Sequence, residues 1–455
     1  MSTDPLADTV ASLIPAARDE LAEFVAFRSV ADPAVSPPEE CHKAAAWVAG
    51  ALRDEGFDDV HVLDMPDGHQ SVHGHLAGPA GAPTILLYAH YDVQPAPDEQ
   101  AWRTPPFELT ERDGRWYGRG TADCKGAVVM HLLALRALKA HGGVPLNVKV
   151  IVEGSEEQAT GGLERYARAH PELLEADVIL IGDAGNFRLG MPTVTASLRG
   201  ITMLRIGVET LRGNLHSGQF GGAAPDALTA LVKILGSLVD DDGSSRVEGL
   251  ETDGAWRGLA YPEADFRVDG GVLDGVDLVG TGSVADRLWA RPSLSVMGID
   301  CPPVVGATPS VHASARAAIS LRIPPGVDAA QATELLTAHI EKHTPWGARV
   351  SVEQVAQGEP FLADTSSPAY TAMAEAMRTA YSGRDLNIAG LGGGIPLCNT
   401  LASLYPRAEI LLIGLCEPEA QIHAVDESVS VDELRRLAVA EAHFMRHYAG
   451  TGIRG

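Results

Sequence analysis

Apolar side chains at Leu6, Val10, Leu13, Ile14, Leu21 and Val25 recur at the spacing of one helix face, so residues 5–29 read as an amphipathic helix. Short continuous apolar runs follow: TILLYA (84–89), NVKVIV (147–152) and DVILI (177–181). Between them lie helical patterns over 127–140 and 163–169. A strand that is apolar at every position is covered on both faces. Its alternation with helices predicts an α/β domain with a largely parallel sheet.

After Gly200 the order changes to strand (201–209), helix (225–239), two strands (293–299 and 313–323), helix (328–343) and strand (348–355). This β-α-β-β-α-β succession fits the split βαβ, ferredoxin-like plan. The α/β pattern then resumes with a helix over 368–381, a strand over 409–415 and a helix over 431–448. The reading is therefore a discontinuous domain, 1–196 and 361–455, interrupted by an inserted α+β domain, 197–360. The acidic, Gly-rich stretch 240–291 carries no assignable pattern.

Two domains suit 455 residues, because a single core rarely grows past about 250–300. A formal charge of −25 repels phosphates and anionic lipid, which excludes nucleic acid and membrane surfaces as partners. Five scattered cysteines without a CxxC pair indicate a reducing compartment. The acidic N-terminus lacks the basic start of a signal peptide, so a cytoplasmic location is expected.

In open α/β sheets ligands bind beyond the carboxyl ends of the strands. Here those positions hold His90 and Asp92, Glu156 and Glu157, Asp183 and His423, with Asp123 just before a helix. Each alone has a structural explanation. Together they bring carboxylates and imidazoles to one sheet edge, where like charges repel unless cations lie between them. Two His and three carboxylates suit two divalent ions about 3.5–4 Å apart, zinc first, with manganese or cobalt close behind. In this scheme Asp123 bridges, His90 and Asp183 complete one ion's ligands, and Glu157 and His423 complete the other's. Asp92, two residues beyond His90, is expected to hold the imidazole's other N–H through its carboxylate. Glu156 is the expected general base, taking a proton from water activated by the metals and returning it to the leaving amine.

The segments LLYAHYDVQP, GRGTADCKGAVV, EGSEEQATGGL, IGDAG, NLHSGQFGG, ISLRIPP and GGGIP, with the late His423, resemble the M20 metallopeptidase family. Within it, HYDVQP is most similar to the carnosinase and cytosolic nonspecific dipeptidase branch. The resemblance implies a zinc-peptidase-like catalytic domain, an inserted dimerisation (lid) domain and small peptides as substrates. It also implies the metal roles above, with Asp92 as a second catalytic acid. His216 would reach the other subunit's active site in a homodimer and stabilise the oxyanion. Arg322 would grip the substrate carboxylate, a task suited to a planar two-pronged donor.

Three positions depart from the branch. The loop usually reading Arg-Glu-Gly-Gly-Ser-Ile-Pro is Gly390–Pro396 here, so the expected substrate-binding Gly394 offers backbone N–H groups but no hydroxyl. Thr308-Pro309 replaces a Lys-Thr pair, and Cys124 follows Asp123 where Asp or Asn is usual. Competing readings keep the metals but change the substrate, to an N-acyl amino acid or a longer chain cut from its carboxyl end. A catalytically idle binding relative would have lost Glu156 or a ligand, and all are present.

Overall fold

The computed structural model describes residues 4–451, so the extreme ends of the larger expected domain, 1–3 and 452–455, lie outside the described residues. The chain divides into two compact units. One comprises Met1–Ala196, Ala363–Ala389 and Pro396–Gly455, and the other Ser197–Leu362 and Gly390–Ile395.

The larger unit is built on a mixed sheet. Its centre is four parallel strands in the order Asn147–Glu153, Thr84–His90, Val178–Ile181, Glu409–Leu412. Residues Ile85–Tyr88 and Val178–Ile181 are wholly buried, as the unbroken apolar runs require. Ile85, Leu87, Val178 and Leu180 share one core with the helices Pro5–Ala26, Lys125–Ala140 and Val431–Ala449.

The sheet is parallel only at this centre. Asp59–Asp64 and Gln70–Leu76 form an antiparallel hairpin that extends it beyond Asn147–Glu153, and Thr193–Leu198 pairs antiparallel with Glu409–Leu412 on the other side. A link as short as 65–69 can only reverse the chain, since a parallel return needs a crossover of a dozen residues or more. The periodicity also passed over the helix Pro38–Asp54, whose buried stripe includes Cys41, Ala45, Val48 and Leu52.

In the smaller unit four antiparallel strands run in the order Ser293–Asp300, Ser314–Ile323, Gly200–Glu209, Arg349–Gly358. This is the ferredoxin-like arrangement. The helices Ala227–Ser237 and Ala329–Lys342 cover one face, where Ile234, Leu336 and Ile340 meet Leu204, Ile206, Ile319 and Leu321. The stretch 240–291 contains a helix, Glu263–Asp269, and an aromatic cluster in which Trp289 packs against Trp256 and Tyr261.

Candidate metal centre

The parallel strands all end on the same edge, and their next residues converge there. His90 closes its strand, Asp183 lies two residues past Ile181, and the turn Glu156–Gln158 follows Asn147–Glu153. Gly154 makes that turn feasible, because a Cβ there would lie 2.1 Å from the Tyr91 hydroxyl oxygen. Asp123 lies just before the Lys125–Ala140 helix, and His423 sits in a loop with left-handed backbone (φ 62°). A left-handed non-glycine residue costs about 1–3 kcal/mol and marks a position fixed by its surroundings.

Asp123 is the hub. Its Oδ1 is 3.0 Å from His90 Nε2 and its Oδ2 is 3.0 Å from His423 Nε2. Asp183 Oδ1 lies 3.5 Å from His90 Nε2, and Glu157 Oε2 lies 3.3 Å from His423 Nε2. The two arms of one carboxylate thus face two separate His–carboxylate pairs. Among the described residues, His90, Asp123 and Glu157 offer ligand atoms within 4.8 Å of one another, as do His90, Cys124 and Asp183. The Cys124 thiol is kept protonated by its burial and then by the Asp183 charge.

The electrostatics test whether cations fit. Burial, then Asp183, raises the Glu156 carboxyl to about 9; burial also raises Asp183 to about 6, against the pull of His90. His423 is driven up to about 10 by its hydrogen bonds to Asp123 and then Glu157. Burial opposes charge on His90, but Asp183 and Asp123 drive it well above the usual imidazole range. For Asp123, hydrogen bonds from both imidazoles outweigh burial and keep it ionised. Protons on His90 and His423 therefore occupy the two positions where positive charge is wanted. A pair of divalent cations fits this donor set of imidazole nitrogens and carboxylate oxygens.

Asp92 differs from expectation in one respect. His90 Nδ1 is 3.0 Å from the Asp92 backbone carbonyl and 3.5 Å from its carboxylate Oδ1. The carboxylate instead accepts the N–H groups of Glu156 (3.1 Å) and Glu157 (3.0 Å). Each of those N–H groups meets a different oxygen of the buried carboxylate, and hydrogen bonds to an ionised acceptor are among the stronger ones. Asp92 therefore positions the Glu156–Glu157 pair as well as His90.

Several supporting residues escaped the sequence reading. Glu427, fully buried, accepts the N–H groups of Gly120, Ala122 and Asp123 at 3.1 Å and the Arg119 guanidinium at 2.7 Å. It fixes the Asp123 backbone from the loop that carries His423. Gln94 donates to Glu157 Oε2 at 2.8 Å, and Asp67 accepts from Ser155 Oγ at 2.8 Å and from the Thr160 hydroxyl. Only the four-residue spacing of His423 and Glu427 could have hinted at the first.

The remaining expected residues lie in the smaller unit. His216 is exposed at the end of Leu215–His216, its Nδ1 accepting the Gly218 N–H at 3.1 Å. Arg322 sits on Ser314–Ile323 opposite Ser293 and Ile201. Near it is a residue the sequence did not single out, Arg199, which donates to Ser293 Oγ at 2.8 Å and to the Gly392 carbonyl at 3.3 Å. Burial, then the Arg322 charge, lowers Arg199 to about 10. Gly394 packs on the same residue, where a Cβ would lie 3.0 Å from the Arg199 carbonyl oxygen.

Comparison with known proteins places the chain in a family. The pattern described as Peptidase family M20/M25/M40 matches residues 86–447. The chain belongs to that family. It is 45% identical to the cysteinylglycine-S-conjugate dipeptidase of Corynebacterium striatum, over 89% of this chain and 90% of that protein. Among solved structures, the dipeptidase Dug1p of Saccharomyces cerevisiae aligns with TM-score 0.81 at 23% identity, covering 99% of each chain. Human carnosine dipeptidase 1 aligns with TM-score 0.80 at 25% identity over 98% of each. The α/β fold of this M20 chain is the one those dipeptidases share.

If Glu427 holds the Asp123 loop, Glu427→Ala leaves Arg119 buried without its carboxylate partner and destabilises the protein by about 3–5 kcal/mol in urea denaturation. Conservative Glu427→Gln should recover part of that stability yet still bind divalent ions more weakly than wild type. Unchanged ion affinity in Glu427→Gln would remove its positioning role.

Proposed function

We propose that the protein hydrolyses the amide bond of dipeptides in a reaction dependent on two divalent metal ions, zinc by preference, with Glu156 as general base. The observation that carries this reading is Asp123, whose two carboxylate oxygens each face an imidazole, His90 and His423, 3.0 Å away. His90 with Asp183, and His423 with Glu157, would be the remaining ligands on the two sides. Bound ions of this kind polarise the scissile carbonyl and make water acidic enough to act as a nucleophile near neutral pH.

The chain's own groups do the rest. Glu156, whose proton affinity is raised by burial and by Asp183, is suited to accept a proton from water and return it to the departing amine. Asp92 holds the backbone of Glu156 and Glu157, which keeps base and ligand in fixed register. Arg322 is the proposed receptor for the substrate carboxylate, with the backbone of the Gly394 loop beside Arg199 contributing N–H donors. His216 is the proposed oxyanion donor, acting across a homodimer.

A dipeptide of the cysteinylglycine type, including forms substituted on sulfur, is the substrate class favoured by the 45% identity to the C. striatum dipeptidase. All five cysteines are free thiols, and among the described residues no helix is long and apolar enough to cross a membrane. The thiols support a cytoplasmic setting.

Chelation should abolish Cys-Gly hydrolysis, and added zinc, manganese or cobalt should restore it. Glu156→Ala should retain both ions by elemental analysis while losing about 10²- to 10⁴-fold in kcat. Glu157→Ala should lose one ion. Equal ion loss in the two variants would reverse their assigned roles.

Arg322→Lys should raise KM for free dipeptides by about tenfold, as expected for losing one charge-assisted hydrogen bond of ~1.5 kcal/mol. Amidated dipeptides should not distinguish the two proteins. An equal effect on both substrates would mean that Arg322 does not bind the carboxylate.

Mixing inactive Glu156→Ala and His216→Ala chains under conditions that exchange subunits should restore about a quarter of wild-type activity, since half the dimers are mixed and each has one intact site. Exchange of tagged subunits without recovery would show that His216 does not act in trans.

A further inference from the structure

We propose that Glu248, His339 and His343, in the smaller unit, form a separate divalent-cation site that ties the segment after the Ala227–Ser237 helix to the end of the Ala329–Lys342 helix. Each offers a ligand atom, and the three lie within 4.8 Å of one another. His339 and His343 are one helical turn apart, their rings stacked with centroids 4.1 Å apart. His343 Nε2 is 3.7 Å from Glu248 Oε1.

The hydrogen bonds around His339 determine which of its nitrogens is free. Its Nε2 is 3.2 Å from the Ser237 carbonyl oxygen, which can only accept, so Nε2 carries the proton. The Ser237 hydroxyl, also 3.2 Å from Nε2, donates its own hydrogen to the Ile234 carbonyl and cannot offer it to the ring. Nδ1 is then a bare lone pair on a side chain only 3% exposed, and it meets no donor. His343 Nε2 is likewise enclosed and without a hydrogen-bond partner.

An imidazole that donates one N–H to a backbone carbonyl and turns the other nitrogen inward is oriented as metal-bound histidines are. Burial, then His343, lowers the proton affinity of His339, which keeps that lone pair open. Helix C-termini also favour positive charge.

A cation already approaches from outside: Lys342 Nζ is 2.7 Å from both Glu248 oxygens. Both partners are more than half exposed, and surface pairs of this kind contribute little, so a divalent ion can displace the ammonium. Two imidazoles and one carboxylate suit zinc, nickel or copper rather than calcium or magnesium. The ion would reinforce apolar contacts already present, since Val247 and Leu250 flank Glu248 and are buried in the same core as Leu336 and Ile340.

The test is zinc counting by elemental analysis on the untagged full chain, equilibrated in buffer of fixed micromolar free zinc. Wild type should hold one more zinc per chain than His343→Gln, whatever number the Asp123 cluster holds. Glu248→Gln should bind the extra zinc at least tenfold more weakly. Asp123→Asn, which disables the cluster in the larger unit, should keep it, so failure of the catalytic reading and failure of this one give different counts. Equal zinc in wild type, His343→Gln and Glu248→Gln overturns the proposal.

Discussion

The Asp123 carboxylate is the constraint on which the larger unit depends. It is buried, ionised and shared between His90 and His423, while Asp92, Glu156, Glu157 and Asp183 crowd the same sheet edge. So many carboxylates cannot be ionised together in a dry site without compensating positive charge. Part of that compensation is built into the protein. Backbone N–H groups of Glu156 and Glu157 serve Asp92, those of Gly120, Ala122 and Asp123 serve Glu427, and Arg119 neutralises Glu427. What remains uncompensated is concentrated where Asp123 meets the two imidazoles, and this is where divalent ions suit the donor set.

The support around that point explains why the ligands come from distant parts of the sequence yet can hold fixed geometry. Four parallel strands, buried on both faces, end together and leave little freedom to the residues that follow. Glu427 then ties the Asp123 loop to the loop bearing His423, and Asp67 ties down the turn bearing Glu156 and Glu157. A catalytic arrangement placed on rigid elements and held by a further layer of hydrogen bonds is preorganised, so little binding energy is lost in ordering it.

In the smaller unit the problem has the opposite sign. Arg322 lies close enough that its charge adds to burial in disfavouring that of Arg199, which is largely buried with neutral partners, Ser293 Oγ and the Gly392 carbonyl. An anion relieves such a pair, which is the physical basis of the proposal that this region receives the substrate carboxylate. Arg199 also places its guanidinium beside the loop that carries Gly394, donating to the Gly392 carbonyl.

Much of this was legible in the sequence, and for definite reasons. Apolar runs at 84–89, 147–152 and 177–181 require two covered faces whatever the partners are, so the α/β class follows from composition and period alone. The residues after those runs could be named as ligands because a parallel sheet places all its strand ends on one edge. Edge hairpins such as Asp59–Leu76 were not legible: Asp59–Asp64 is mostly exposed, and the buried stretch of Gln70–Leu76 consists of Ser71, Val72, His73 and Gly74, so neither strand shows an apolar run. Hydrogen-bond partners were not legible either. Whether the Asp92 carboxylate serves an imidazole or two backbone N–H groups, whether Glu427 reaches the Asp123 loop, and which nitrogen of His339 is bare depend on distances between segments far apart in the chain. Element types and the chemical inventory of the sheet edge follow from local pattern, and so could be read from the chain. The tertiary structure alone decided which donor meets which acceptor, because a hydrogen bond is won or lost over a few tenths of an ångström that no local pattern encodes.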